Sequence, residues 1–102
     1  MIARWNIDAK FGYKQEVIDL MQHWLREIGP QVGFRADKTR LFTGSLGALE
    51  ATVQTEHAID SLSELDEAWA KLAKIEAHRE WGKKLEPLVV SGTSHWEVYR
   101  VL

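Results

Sequence analysis

The chain contains no cysteine in its 102 residues. Disulfides, thiolate nucleophiles and zinc–sulfur sites are therefore excluded. Proline occurs only at positions 30 and 87, so long stretches are free to form regular structure. No basic block is present. Thirteen Lys and Arg stand against 15 Asp and Glu, for a net charge of −2, which argues against nucleic acid or an anionic membrane as a partner. No apolar run approaches the roughly 18 residues of a membrane span. No basic start leads into an apolar stretch, so no signal peptide is read and a cytoplasmic location is expected. Four histidines show no i, i+4 or Glu-linked spacing, so no metal site is expected. There is no G-x-S-x-G elbow. Residues 44–47 (GSLG) are too short for a phosphate loop. What the chain has in excess is tryptophan, five in all, which implies bulky, amphipathic packing surfaces.

A chain of this length forms one domain around one core. Residues 1–8 alternate Ala3, Trp5 and Ile7 with Arg4, Asn6 and Asp8, a strand pattern. Residues 95–102 alternate Trp96 and Val98 with Glu97 and Tyr99. Over residues 13–28, Val17, Leu20, Met21, Trp24, Leu25 and Ile28 form one helical stripe that Gly29 and Pro30 end. Residues 39–45 and 48–55 read as a hairpin turning at Leu46–Gly47, with Leu49, Ala51 and Val53 on one side of its second strand. Ser61 and Glu64 have capping-box spacing. Leu62, Leu65, Trp69, Leu72 and Ala73 follow on one face, and a new phase (His78, Trp81, Leu85, Leu88) starts after a break near Ala77. His57 falls in the loop before this helix.

The order is βαββαβ, with a four-stranded antiparallel sheet in an α+β fold. Two helical layers' worth of apolar surface is lacking, so the helices cover one face only. The apolar strand sides suit that face, and Trp24 and Trp69 are expected to be buried there. The other face collects Arg4, Asn6, Arg40, Glu50, Thr52, Glu97 and Tyr99. It either meets water or meets a second copy. The thin core favours a homodimer through sheet faces, with Phe42 adding apolar area.

The element order, the length and the phrase Glu86-Pro87-Leu88-Val89-Val90-Ser91-Gly92-Thr93-Ser94 before the last strand resemble the dimeric α+β-barrel superfamily. The resemblance is to its NIPSNAP-like and antibiotic-biosynthesis-monooxygenase-like branches. It implies a ferredoxin-like monomer, a dimeric α/β barrel, and a small-molecule pocket between sheet and helices. Members of the superfamily include cofactor-free monooxygenases and haem-degrading enzymes. The haem-degrading branch is similar to a trio offered here by Asn6, Trp69 and His78. That trio would set His78 as axial ligand, although no cofactor is required by the sequence itself. A histidine among aromatics more commonly serves packing.

Two classes of function follow. The first is a module that binds a small aromatic or hydrophobic ligand without chemistry, with Arg4, Asn6, Glu50, Trp69, His78 and Trp81 as candidate ligand contacts. The second is an oxygen-using or isomerising enzyme, with His78, Asn6 and Tyr99 as catalytic candidates and His95 as a further base. A pocket is expected to include Asn6, His78 and at least one of Arg4, Glu50 and Tyr99. The competing reading of the charged sheet residues is ordinary cross-strand pairing of Arg4 or Arg40 with Glu50 or Glu97.

Overall fold

A computed structural model describes all 102 residues. Strand β1 (Ile2–Asp8) leads to helix α1 (Lys14–His23), then the hairpin strands β2 (Thr39–Thr43) and β3 (Thr52–Ala58). Helices α2 (Leu62–Leu72) and α3 (Glu76–Leu85) precede the last strand, β4 (His95–Tyr99). The sheet is antiparallel in the order β2-β3-β1-β4. This is the ferredoxin-like βαββαβ arrangement. No helix is long and apolar enough to cross a membrane.

The alternation in β1 works as expected. Ala3 and Ile7 are buried with Val17, Met21, Trp24 and Ile28 of the first helical segment and Leu65, Ala68 and Leu72 of α2. Ser61 caps α2, its Oγ accepting from the Glu64 N–H at 3.2 Å. The Glu64 carboxylate accepts from the Asp60 N–H at 2.7 Å.

Several expectations are corrected. The first helix is not α-helical to residue 28: a π-turn occupies Trp24–Ile28 and a 3-10 turn Gly29–Val32. The second hairpin strand is displaced toward the C-terminus. It runs Thr52–Ala58 because all seven residues of β1 pair with it, from Ile2↔Ala58 to Asp8↔Thr52. Leu49 and Ala51 are therefore exposed in the connection. Glu50 sits in a turn there and is not part of the sheet face. His57 moves from a presumed loop into the strand. Trp69 is 39% exposed rather than buried, and Val98 is exposed because β4 is an edge strand. The helical break falls at residues 73–75, before Ala77.

The sheet face away from the helices carries a closed polar network. Glu56, only 6% exposed, takes the place expected of Glu50. Its Oε1 accepts from Arg4 Nε (3.1 Å) and Nη2 (3.0 Å), and its Oε2 from Arg40 Nε (2.7 Å). Burial pushes the Glu56 carboxyl up, but the Arg40 and Arg4 guanidiniums outweigh it and hold the group below its ordinary value. The Arg4 guanidinium lies over the rings of Phe42 (5.6 Å) and Tyr99 (5.1 Å). Asn6 donates to Glu97 Oε1 at 2.9 Å and accepts from Gln54. The Tyr99 hydroxyl donates to Glu97 Oε2 at 3.1 Å.

Candidate functional site

On the opposite face, between sheet and helices, lies a cavity of about 380 Å³. Trp5 and Trp96 reach it from neighbouring positions on β1 and β4. Trp24 enters from the π-turn, Trp69 from α2 and Trp81 from α3. Thus all five tryptophans of the chain line one space. Met21 and Leu72 add aliphatic wall, and Thr55, His57, His78 and Ser94 are the polar members. No Asp, Glu, Lys or Arg lines it.

Most polar atoms of the wall are already committed. The Trp5 indole N–H donates to Ser94 Oγ at 2.9 Å, and that of Trp81 to the Leu20 carbonyl at 2.7 Å. Burial pushes the His57 imidazole down to about 4, so it is neutral at pH 7. The Thr39 hydroxyl spends its one proton on the Arg35 carbonyl at 2.8 Å. It can therefore only accept from His57 Nδ1–H, 3.2 Å away. His57 Nε2 then accepts from the Thr55 hydroxyl at 3.0 Å. Both ring nitrogens are spent, and the ring stacks on Phe34 with centroids 4.2 Å apart.

His78 is held differently. The Trp24 indole N–H, which can only donate, points at His78 Nδ1 at 3.0 Å. Burial lowers the imidazole's pKa, and an imidazolium would set N–H against N–H. The neutral ring therefore accepts at Nδ1 and carries its proton on Nε2, which has no protein partner. The ring lies nearly parallel to Trp81, with centroids 5.8 Å apart. Room for the Trp24 indole comes from Gly29, where a Cβ would sit 3.0 Å from the indole Cζ3.

Of the candidate residues, Trp69, His78 and Trp81 share this cavity. Arg4, Asn6 and Tyr99 lie on the far side of the sheet, engaged with Glu56 and Glu97. Glu50 belongs to neither group, being in the hairpin connection. Asn6 and His78 are thus on opposite faces. His95 is exposed, with Nδ1 2.8 Å from the Thr93 carbonyl. The haem trio does not fit. The sheet separates Asn6 from Trp69 and His78, and the open nitrogen of His78 bears a proton rather than a lone pair. No three His, Asp or Glu side chains are grouped as a metal site. A strand expected to stop at Thr55 leaves His57 outside the sheet, whereas β3 runs on to Ala58. The alternation Val53, Thr55, His57 against Gln54 and Glu56 was the available signal.

No protein-family model matches the sequence, and no curated protein matches it. Solved structures do. A NIPSNAP family protein from Agrobacterium tumefaciens superposes with a TM-score of 0.76 at 20% identity, over 94% of this chain and 87% of its own. An uncharacterised NIPSNAP-like domain protein from Burkholderia xenovorans gives 0.70 at 20%, over 99% and 84%. The chain has the NIPSNAP-type fold. A Chloroflexus aurantiacus protein assigned by name to the antibiotic biosynthesis monooxygenases is more distant, with a TM-score of 0.52 at 8% identity, over 99% and 95%. At these identities the likeness establishes the ferredoxin-like NIPSNAP-type architecture and no activity.

Proposed function

We propose that this NIPSNAP-type protein binds a small, flat aromatic ligand in the tryptophan-lined cavity, without chemistry. The observation that carries the reading is the convergence of all five tryptophans on one uncharged space. Its volume of about 380 Å³ falls within the range of small-molecule sites, which are mostly apolar with few polar groups. A cofactor-free oxygenase would need a base whose lone pair faces the cavity. Neither histidine offers one, since His57 is paired at both nitrogens and His78 turns its lone pair to Trp24. Binding of 1-indanone and of indane, followed by quenching of tryptophan fluorescence, is expected to saturate. Ala73→Phe, which fills the cavity from its wall, is expected to weaken both about tenfold. Linear, unsaturable quenching identical in parent and variant would contradict the reading.

We also propose that the other sheet face is covered by a second copy. The support is the thin one-sided helix layer and the Phe42 and Tyr99 rings laid over Arg4. Light scattering at micromolar concentration is expected to give about twice 11.7 kDa. Phe42→Lys, which adds a cation beside Arg4 and Arg40, is expected to shift the protein to monomer. A stable parent monomer would refute the pairing.

A further inference from the structure

We propose that Trp24 fixes His78 as its Nε2–H tautomer and that this N–H anchors the carbonyl oxygen of an uncharged aromatic ligand. The inference rests on the cavity reading above and adds the class of ligand. Three observations lead to it. The indole N–H of Trp24 can only donate, and at 3.0 Å from Nδ1 it leaves the ring proton to Nε2. The residue that imposes this begins the π-turn Trp24–Ile28, an irregularity often found at functional sites. Finally, His78 Nε2 has no protein partner on a wall where His57, Trp5, Trp24 and Trp81 have their polar atoms satisfied. The indole N–H groups of Trp69 and Trp96 are also unpartnered donors, and substitution at His78 leaves those two in place.

The wall has no charged side chain, so an anion finds no counter-ion and an ionised ligand carries its full desolvation cost. A ligand cation would be drawn to the indole faces, but a donor N–H beside them repels it. A neutral ring bearing one carbonyl satisfies both the faces and the donor. Trp24 is then a positioning residue and His78 the ligand contact.

The test has two arms. Long-range ¹H–¹⁵N spectra at pH 7 are expected to show His78 protonated on Nε2 alone in the parent, with a mixture of tautomers in Trp24→Phe. A parent ring protonated on Nδ1, or on both nitrogens, would overturn the lock. The second arm compares 1-indanone with indane, which lacks only the oxygen. The parent is expected to prefer the ketone about tenfold. His78→Phe should abolish the preference while retaining indane, and His78→Gln, which keeps a donor, should restore part of it. Equal affinity of the parent for both probes, or tighter binding of choline than of 1-indanone, would overturn the anchor. Failure of both neutral probes to bind would remove the cavity reading and the anchor with it, leaving the tautomer result as a separate outcome.

Discussion

Trp24→Ala is expected to destabilise the fold by about 3–5 kcal/mol, the cost of a large-to-small change in a core. Trp24 is 6% exposed and its ring lies within 5.8–6.2 Å of those of Phe34, His57, His78 and Trp81. Aromatic pairs add about 0.5–1.5 kcal/mol each beyond area burial, which places the change toward the upper end. The variant also strips His78 of its donor. For a domain of this size the melting temperature should fall by roughly 15–30 °C. Trp69→Ala is expected to cost less than about 2 kcal/mol, because its ring is partly exposed and touches Trp96 edge-on at 5.6 Å. Thermal melts of the two variants check the contrast. Equal losses would mean that the packing around Trp24 is wrongly described.

Mild acid is expected to weaken the protein through His57. Its folded pKa of about 4 lies below the ordinary 6.5 because the ring is buried. Between those two values the unfolded chain binds more protons than the folded one. Stability therefore rises with pH through this window, is complete above 6.5, and is lost as pH falls toward 4. The whole shift corresponds to about 3 kcal/mol, and about 2 kcal/mol of it is gone by pH 5. His78, also lowered by burial, acts with the same sign. Glu56 has a depressed carboxylate pKa, so its contribution is present above the carboxylate range and fades only at lower pH. Urea unfolding at pH 7 and pH 5 isolates the His57 part. The parent should lose about 2 kcal/mol more between the two than His57→Gln does. Parallel losses would show that His57 is not the group responsible.

Strand β1 was legible because its two faces differ in every residue: Ala3, Trp5 and Ile7 could only turn to the helices. The same parity placed Trp5 and Trp96 correctly under them. The second hairpin strand was not legible, because Leu49, Ala51, Val53, Thr55 and His57 keep one period of two from connection into strand. Nothing in that alternation marks where pairing begins; the seven-residue length of β1 decides it. That shift put Glu56 where Glu50 was expected and hid His57. Arg4, Asn6, Arg40, Thr52, Glu97 and Tyr99 do share one sheet face, with Glu50 the exception, but periodicity gives a face and not what covers it, so it does not separate Asn6 from His78. The π-turn at Trp24 has no sequence mark, since Val17, Met21, Trp24 and Ile28 fit an α-helical stripe equally well. The tautomers of His57 and His78 depend on donors far away in the chain, Trp24 being 54 residues from His78. Only the folded arrangement brings these together.

The five indole N–H groups provide their own reporters. In a ¹H–¹⁵N spectrum they give five resolvable signals, one for each tryptophan. Titration with 1-indanone is predicted to move all five along a single binding isotherm, because all five line the same cavity. The partly exposed Trp69 should follow the same curve as the buried Trp24. Movement of Trp69 alone without saturation, or no movement at all at millimolar ligand, would contradict a ligand site between the sheet and the helices.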